Sequence, residues 1–358
     1  MAHHPLTQLN EEDSVGIIRK GRGGAVVTTV ALLSTLAACS SGATPAASPT
    51  TSGSASAPAV KIAFVTKPLD NVYFGSMVTG GQAAAKDLGV ELTVAAAQNV
   101  SDDSGQASKL EALIGSQYTC YILNPTSPTN LIQPLASAGQ ATVINIDLEM
   151  DAAKAKAAGV TINTYIGTVN KDAGAQAGKA LLDLVPEGSD VAVIGTLAQD
   201  AGNIQRQAGF HSVVDGKLNV VQTVSADADR AKAKSQAAAI MRANPNVKGF
   251  FTPAGTQAMG IQEAIKQEGR TDVKVVGIDG TKEELESIKN GELAASVEQF
   301  PYLMGYQAVQ ACVAASEGKT LPERVDTPTL IVTQANAAEA LEASPAPPAS
   351  FTVPNPFS

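Results

Sequence analysis

Polar residues suited to hydrogen bonding recur along this chain directly after short apolar runs. Three such runs are followed by Asn124, Asp147 and Asp279, and a fourth by the pair Glu298-Gln299. If the runs are strands of parallel sheets, their carboxyl ends share one edge, which is the edge where open α/β sheets bind ligands. Carboxylates accept hydrogen bonds and carboxamides both donate and accept them, so these residues suit a ligand that carries hydroxyl groups.

The first element that must position such residues spans residues 60–90. Residues 62–65 form an unbroken apolar run, which is typical of a strand buried on both faces of a parallel sheet. From Phe74 onward, apolar residues recur every three or four positions, which predicts an amphipathic helix that ends at Gly89. A second strand follows. The sequence therefore predicts a βαβ unit with a polar loop over residues 67–73, at the carboxyl end of its first strand.

Strands and helices alternate through the rest of the chain in two series. The first series predicts strands over residues 120–123 and 141–146 and helices over residues 101–115 and 130–138. The second predicts strands over residues 190–195, 220–225, 248–252, 273–278 and 293–297, and helices over residues 171–184, 203–214, 230–242, 256–269, 282–290 and 302–316. Two βα series in tandem imply an α/β fold of two similar doubly wound parallel-sheet lobes with a cleft between them.

The beginning of the chain predicts export and a tether. A basic segment ending at Arg22 precedes an apolar run over residues 25–38, which suits a signal peptide better than a membrane span of roughly 20 residues. The run ends in Leu36-Ala37-Ala38-Cys39, which resembles the bacterial lipobox, and a plain secretory signal is the alternative. We therefore expect residues 1–38 to be a lipoprotein signal peptide, Cys39 to be lipidated, and residues 39–58 to be a flexible Ser/Thr/Ala/Pro tether.

Charge and cysteine usage argue against other classes of protein. The net charge is −9 and no basic stripe exists, so we predict no nucleic-acid partner. Cys120 and Cys312 are the cysteines that remain after Cys39. We expect them to be separate buried thiols rather than a disulfide, and because two cysteines lack the spacing of a metal site, we predict no metal.

Catalytic residues are not evident either. His211 is the only histidine beyond the first four residues, and the sequence shows no nucleophile–base pairing and no glycine-rich phosphate loop. We therefore predict that the protein is not an enzyme and has no catalytic residues. The enzymatic alternative is catalysis by Asp147 and Asp279 acting as a carboxylate pair.

Several motifs, taken in order, resemble those of one family. They are the strand and loop of residues 61–74, Leu123-Asn124-Pro125-Thr126, Ile144-Asn145-Ile146-Asp147, Arg206-Gln207-Ala208-Gly209-Phe210, Val275-Val276-Gly277-Ile278-Asp279-Gly280-Thr281 and Gly291-Glu292-Leu293-Ala294-Ala295-Ser296-Val297-Glu298-Gln299. From Val60 to about Thr333, the chain resembles the periplasmic sugar-binding proteins of bacterial ABC importers, in particular the type I, ribose-binding-like group. That resemblance implies two lobes, joined by three crossovers, that close on a ligand about a hinge.

The resemblance also implies where the chain changes lobe. The crossovers are expected near residues 162–165, 299–301 and 322–326. The resulting segments are an N-terminal lobe of residues 59–163 and 300–323, a C-terminal lobe of residues 164–299 and 324–334, and an Ala- and Pro-rich tail of residues 335–358. We expect this tail to lie outside the core.

A ligand-binding site is implied as well. The family's hydroxyl-binding positions are occupied by Asn71, Asn124, Asp147, Arg206, Asp279 and Gln299, and its stacking aromatics by Tyr73 and Phe74. Lys67 stands where the ribose binders carry a small hydroxyl residue, and we expect it to donate a hydrogen bond to the ligand. Structural alternatives are helix capping for the two aspartates, an Asn-Pro turn for Asn124, a helix-surface ion pair for Arg206 and core packing for Phe74.

Three departures from the family pattern bear on the ligand. Leu148 replaces an arginine of the ribose binders, Ala228 replaces their second-lobe aromatic residue, and Ala254 replaces an asparagine. Lys67 and the region around Pro253 look more like the branch that binds rhamnose-like sugars and furanosyl signalling molecules. The expected ligand is therefore a small polyhydroxy compound other than ribopyranose, such as another pentose, a deoxysugar or a sugar alcohol.

The same resemblance implies the partners. We expect the transmembrane subunits of an ABC permease, attachment to the outer face of the cytoplasmic membrane through the lipid anchor, a monomeric protein and no cofactor. The alternative function is a receptor for a sugar or furanosyl signal that feeds a chemosensory or sensor-kinase partner. A LacI-type repressor would share the fold, but it would carry a helix-turn-helix where this chain has a lipobox and a spacer.

Overall fold

The computed structural model describes residues 60–115 and 118–358. The predicted signal peptide, Cys39 and the tether lie outside these residues. The strands are β1 (Lys61–Thr66), β2 (Glu91–Ala96), β3 (Cys120–Leu123), β4 (Thr142–Ile146), β5 (Thr164–Thr168), β6 (Asp190–Gly195), β7 (Asn219–Ser225), β8 (Val247–Phe251), β9 (Lys274–Asp279), β10 (Ala295–Gln299), β11 (Arg324–Thr327) and β12 (Thr329–Thr333). The helices are α1 (Val72–Leu88), α2 (Asp103–Ile114), α3 (Ile132–Leu135), α4 (Ala152–Ala157), α5 (Asn170–Leu184), α6 (Ala201–Val214), α7 (Arg230–Ala243), α8 (Gly255–Gln267), α9 (Lys282–Lys289), α10 (Pro301–Ser316) and α11 (Ala337–Ala343).

Two six-stranded sheets form the two lobes. The strand order is β11-β5-β4-β3-β1-β2 in the N-terminal lobe and β12-β10-β9-β8-β6-β7 in the C-terminal lobe. All pairs are parallel except β10 with β12. This arrangement confirms the predicted α/β fold of two doubly wound lobes. Within the described part of the chain, no helix is both long and apolar enough to span a membrane.

Burial on both faces explains why the strands are unbroken apolar runs. In β1, Ile62 and Phe64 belong to the core on one face of the sheet, whereas Ala63 and Val65 belong to the core on the other face. Side chains of successive strand residues point to opposite faces, so a strand covered on both sides must be apolar at every position.

The predicted first βαβ unit is present. Asn71 caps α1 by accepting a hydrogen bond from the backbone N–H of Tyr73, and Gly89 ends the helix with a left-handed φ of 67°. A glycine is favoured there because a Cβ atom disfavours that conformation. The unit thereby places the loop after β1, and the first turn of α1, at the carboxyl edge of the sheet.

The chain passes between the lobes after β5, after β10 and after β11. The middle crossover, at Phe300, falls where it was predicted. The first lies at Val169, later than the predicted residues 162–165, because β5 pairs with β4 and β11 in the N-terminal sheet. The last lies at Pro328 rather than at residues 322–326, since β11 also completes that sheet. β5 and β11 are distant in sequence but pair with each other, so both strands belong to the N-terminal lobe and both crossovers come later than predicted.

Cys120 and Cys312 form a disulfide, so the prediction of two separate thiols is wrong. Their Cα atoms lie 5.8 Å apart although 192 residues separate them in sequence. Cys120 begins β3, and Cys312 lies on α10, which returns from the middle crossover to pack on the N-terminal sheet. The sequence alone does not reveal this proximity, because only the crossover brings α10 back to the first lobe.

The C-terminal segment also departs from the prediction, since it contributes to the core. Ala337 and Ala340 of α11 are fully buried in the core of the C-terminal lobe. Phe357, close to the chain end, is only 6 % exposed and belongs to the core of the N-terminal lobe. The prediction of a tail outside the core is therefore wrong. Two alanines of α11 pack into the C-terminal lobe, and Phe357 packs into the N-terminal lobe.

Candidate ligand-binding site

On the N-terminal lobe, the site contains an ion pair between Lys67 and Asp147. Lys67 follows β1, Asp147 follows β4, and Lys67 Nζ lies 3.0 Å from Asp147 Oδ2. Both side chains are largely buried. The Lys67 ammonium also lies 5.0 Å from the centre of the Phe74 ring. A cation over the face of an aromatic ring is electrostatically favourable, so Phe74 stabilises the Lys67 ammonium. The Phe74 ring itself is part of the core of the N-terminal lobe.

The backbone of Asp147 is held in an unusual conformation. Its φ is 63°, in the left-handed region that non-glycine residues rarely adopt. Tyr165 Oη donates a hydrogen bond of 2.7 Å to the carbonyl oxygen of Asp147 and fixes this turn. Asp279, at the corresponding strand end of the other lobe, has a φ of 133°. Strained residues of this kind cluster at binding and catalytic sites, where the surrounding structure holds them in place.

On the C-terminal lobe, Arg206 is the centre of a hydrogen-bond network. Its Nη2 donates to Gln299 Oε1 at 3.0 Å, its Nη1 to the carbonyl oxygen of Pro253 at 2.7 Å, and its Nε to Asn170 Oδ1 at 2.8 Å. Arg206 Nη1 also lies 3.7 Å from Asp279 Oδ1. The guanidinium, which lies on α6, is therefore held by groups from four other segments of the chain.

Asp279 accepts hydrogen bonds with both carboxylate oxygens. Its Oδ2 accepts from the backbone N–H of Gly255, the first residue of α8, at 3.0 Å, and its Oδ1 accepts from Gln299 Nε2 at 2.8 Å. Burial raises the pKa of Asp279, and the neighbouring charge of Arg206 opposes that rise. The capping alternative thus holds in part, although the capped helix is α8 and not the following helix α9, whose cap is Thr281.

One hydrogen bond joins the two lobes at the centre of the site. Tyr73 Oη, on α1, donates to Gln299 Oε1, at the end of β10, at 3.1 Å. Burial, and then the charge of Asp147, hold the pKa of the Tyr73 phenol well above its ordinary value. The phenol therefore keeps its proton at physiological pH and remains a donor. Gln299 connects Tyr73, Arg206 and Asp279, which makes it the junction of the network.

The structure places six of the nine predicted side chains in two hydrogen-bonded groups: Lys67 with Asp147, and Tyr73, Arg206 and Asp279 with Gln299. Phe74 lies between the two groups, because Lys67 Nζ lies over its ring and the Tyr73 ring packs edge-on against it. Asn71 and Asn124 are engaged elsewhere, because Asn71 caps α1 and Asn124 is fully buried with its amide nitrogen 3.4 Å from Met77 Sδ. A ligand contact of Asn71 or Asn124 therefore stays a prediction.

Sequence reasoning missed three contributors: Tyr165, Asn170 and the carbonyl of Pro253. Asn170 follows the end of β5, so the pattern of polar residues after strands could have found it. Glu298 is almost fully buried, and its Oε2 has no hydrogen-bond partner among the described residues. Burial, reinforced by the charge of Glu284, raises the pKa of Glu298 to about 8.

A cavity of about 650 Å³ opens next to the network, between the lobes. Tyr73 and Ser76 of α1 line it on one side, and Asp279, Thr281 and Gln299 on the other. Its volume lies within the range that is common for small-molecule sites. Among the described residues, no cluster of three or more histidine, cysteine or acidic side chains could hold a metal ion.

Two α/β lobes joined by three crossovers, with polar groups from both converging at the hinge, define a two-lobed binding protein. The periplasmic binding protein domain matches residues 62–320, so the chain belongs to that family. This match and the ribose- and D-allose-binding relatives named below confirm the identification as a type I periplasmic sugar-binding protein.

Three proteins illustrate the similarity. A ribose import binding protein of Bacillus subtilis is 30 % identical over 309 residues, which cover 86 % of this chain and 98 % of that protein. A D-allose-binding periplasmic protein of Escherichia coli is 31 % identical over 74 % of this chain and 87 % of its own. The crystal structure of a carbohydrate transporter solute-binding protein from Agrobacterium radiobacter, in complex with D-arabinose, superposes with a TM-score of 0.70 at 28 % identity and covers 80 % of this chain and 99 % of that one.

Proposed function

We propose that this protein captures a small polyhydroxy compound between its lobes, outside the cytoplasm, and delivers it unchanged to the permease of an ABC importer. The network that joins Tyr73, Gln299, Arg206 and Asp279 across the lobes is the observation that carries this proposal. The relatives named for ribose and D-allose, and the similar structure with D-arabinose bound, support a sugar as the ligand class.

Each residue has a role that follows from its chemistry. Asp147 and Asp279 accept hydrogen bonds from ligand hydroxyls, Arg206 and Lys67 donate to them, and Tyr73 offers a ring face to the C–H surface of a sugar. In the present arrangement these groups satisfy one another. A bound ligand therefore replaces protein–protein hydrogen bonds with protein–ligand ones, and the groups are already oriented when it arrives.

The ligand we propose is a pentose, deoxysugar or sugar alcohol that differs from ribopyranose. Lys67 adds a long cationic donor, whereas Leu148 and Ala254 remove polar groups that the ribose binders carry at these positions. Ala228, with a φ of 59°, offers no aromatic face. A site with one more ammonium and one fewer aromatic lid suits a ligand with a different pattern of hydroxyls.

A thermal-shift screen of the purified protein tests this proposal. The panel contains D-ribose, D-arabinose, D-allose, L-rhamnose, erythritol, xylitol and a non-carbohydrate control such as L-leucine. A ligand at 100 times its dissociation constant stabilises the native state by about 2.7 kcal/mol, which is an easily measured rise in melting temperature. A rise with one stereochemical class supports the proposal, whereas equal melting temperatures with every sugar and polyol contradict it. A strong shift with D-ribose that Lys67→Ala leaves unchanged contradicts the role of Lys67.

We also propose that the protein is a monomer and is attached to the membrane through lipid on Cys39. The supporting observation is the lipobox-like sequence Leu36-Ala37-Ala38-Cys39 after an apolar run. Expression in a bacterial host, followed by mass spectrometry of the mature N-terminus, should detect a diacylglyceryl cysteine. Cys39→Ser should release the protein from the membrane fraction, and membrane attachment of that variant would contradict the anchor. Analytical ultracentrifugation of this released variant measures its oligomeric state.

A further inference from the structure

The last 15 residues of the chain connect the two lobes once more, after the three crossovers. We call residues 344–358 the C-terminal strap. It begins at the end of α11, a helix that packs on the C-terminal lobe through Ala337 and Ala340. These two side chains are fully buried in the same core as Leu285 and Ile288 of α9. One end of the strap is therefore fixed to the C-terminal lobe.

The other end of the strap is fixed to the N-terminal lobe. The ring of Phe357 is buried in the core that contains Met304 and Ala308 of α10 and Val325 of β11. The Phe357 carbonyl oxygen also accepts a hydrogen bond of 3.4 Å from Lys319 Nζ. Burial removes the apolar surface of the phenyl ring from water, so this contact stabilises the attachment of the strap to the N-terminal lobe.

The middle of the strap contacts the hinge itself. Phe351 packs against Phe300, with ring centres 5.4 Å apart, and Phe300 is the residue at which the chain crosses from β10 to α10. A turn closed by the Phe351 N–H and the Pro348 carbonyl oxygen, at 2.8 Å, presents the ring. While this turn and the Phe351–Phe300 contact are kept, the strap cannot extend to its full length, so its two ends can move apart only if these contacts break.

The start of the strap lies beside the candidate ligand site. Ser344 and Pro345 line the cavity between the lobes, together with Tyr73 of the N-terminal lobe and Thr281 of the C-terminal lobe. The strap therefore runs along the same opening that a hinge movement would widen. Any rotation that separates the lobes changes the distance from α11 to the Phe357 anchor.

We propose that the C-terminal strap favours the closed arrangement of the lobes and thereby raises ligand affinity. The proposal rests on the proposed function, since it describes how the same site is regulated. The two anchors of the strap lie on different lobes, so strap contacts that are kept only while the lobes are close shift the population toward the closed state by their own free energy. Loss of the Phe357 anchor should therefore increase the open fraction of the ligand-free protein, by about tenfold if the full contact is lost.

Spin-label distance measurements on the ligand-free protein test the strap without knowledge of the ligand. Glu111→Cys on α2 and Gln267→Cys on α8 place labels at two exposed positions, one on each lobe. The labelled chain carries Cys39→Ser and keeps the Cys120–Cys312 disulfide. In this background we compare the parent chain, Phe357→Ala, a chain that ends at Ser344, and the control Thr352→Ala, which alters an exposed strap residue.

The proposal predicts a longer distance between the labels in Phe357→Ala and in the shortened chain, and an unchanged distance in Thr352→Ala. Identical distance distributions in all of these chains would overturn it. A lower melting temperature of Phe357→Ala without any change in distance would also overturn it, because Phe357 would then only complete the core. If no sugar changes the distance or the melting temperature while strap removal lengthens the distance, the strap stands and the proposed sugar-binding function fails.

Discussion

At the scale of single residues, Arg206 has the most contacts in the site. It donates to Gln299, Asn170 and the Pro253 carbonyl, so its guanidinium is oriented before a ligand arrives. A planar group with five donors can bridge two ligand hydroxyls while it keeps some of these contacts.

Replacement of Arg206 by alanine should weaken binding of the best ligand in the panel by about 30- to 1,000-fold, which corresponds to roughly 2–4 kcal/mol. The reason is that Asp279 and Gln299 lose their cationic partner inside a buried site. Isothermal titration calorimetry measures the change. Arg242→Ala, which removes an exposed arginine paired with Glu268, is the matched control and should bind normally. Equal affinities of the two variants would contradict the role of Arg206.

Glu298 should make the stability of the protein depend on pH, because burial raises its pKa to about 8. Between its ordinary pKa near 4.5 and this value, the folded state holds a proton that the unfolded state has released. The free energy of unfolding should therefore be highest below that window and should fall as the pH rises through it, by about 1.4 kcal/mol per pH unit for one such group. Glu284, whose pKa is raised to about 8 mainly by burial, adds a loss of the same sign.

Glu298→Gln should flatten this dependence, because an amide imitates the protonated carboxyl without titrating. Denaturant unfolding at several pH values between 5 and 8 gives the slope for each protein. Glu111→Gln, at an exposed position on α2, should keep the slope of the parent. A Glu298→Gln slope as steep as that of the parent would show that the carboxyl does not titrate in this range.

At the scale of elements, the N-terminal lobe depends on the close contact between α1 and α10. A Cβ atom added to Gly80 would lie 1.9 Å from the Tyr302 carbonyl oxygen, and one added to Gly305 would lie 1.8 Å from the Met77 carbonyl oxygen. Both helices therefore need glycine where they cross. The contact matters for function because α1 carries Tyr73 and α10 begins at the hinge.

Gly305→Ala should lower the free energy of unfolding by about 1–3 kcal/mol, since the two backbones must move apart to admit the methyl group. Gly115→Ala is the matched control, because its added Cβ meets nothing within 4 Å. Urea unfolding monitored by circular dichroism measures both. A Gly305→Ala protein as stable as the parent would contradict the close approach of the helices.

The disulfide also stabilises this region, since it joins Cys312 of α10 to Cys120 at the start of β3. A cross-link that closes so long a loop restricts the unfolded chain, and removal of a native disulfide typically costs 2–5 kcal/mol. Cys312→Ser combined with Cys120→Ser should therefore lower the melting temperature measurably. Reducing agent should lower the melting temperature of the parent but not that of the double variant. A parent that melts at the same temperature with and without reducing agent would contradict this expectation.

At the scale of the whole molecule, the site exists only when the lobes are close. Tyr73 and Lys67 belong to one lobe and Arg206 to the other, and Gln299 ends the strand that leads into the middle crossover. Under the proposed function, we expect ligand binding to favour lobe closure, because a ligand that contacts both lobes binds the closed arrangement better. Closure presents a combined surface of both lobes, which a permease partner can distinguish from the open form.

Tyr73→Phe removes the hydrogen bond that joins the lobes and leaves the aromatic ring in place. A hydrogen bond of this kind contributes about 0.5–1.5 kcal/mol, so ligand affinity should fall by roughly two- to tenfold. The dissociation rate should rise more than the association rate falls, which stopped-flow fluorescence or surface plasmon resonance can resolve. Tyr302→Phe, on α10, is the matched control. Unchanged ligand dissociation in Tyr73→Phe would show that the bond does not stabilise closure.

Local sequence patterns were sufficient to predict many of the strands and helices of this protein. The apolar runs such as residues 62–65, the helix period from Phe74 onward and the stop at Gly89 are short-range features, and the structure follows them closely. The rule that polar residues follow strands at one edge of a sheet singled out Asp147, Asp279 and Gln299, and all three lie in the hydrogen-bonded groups of the candidate site. Within a βα unit, neighbours in sequence are neighbours in space, so such inferences need no knowledge of the rest of the chain.

Contacts between distant segments were decided only by the tertiary structure. Cys120 meets Cys312, β11 extends the first sheet, and Phe357 enters the core of the lobe opposite to α11 because the chain crosses between lobes several times. Asn124 follows β3 as expected, and the tertiary structure alone shows that it is fully buried with its amide nitrogen against Met77 Sδ. The sequence thus determined the elements and the chemistry at their ends, and the crossovers determined which of those ends meet.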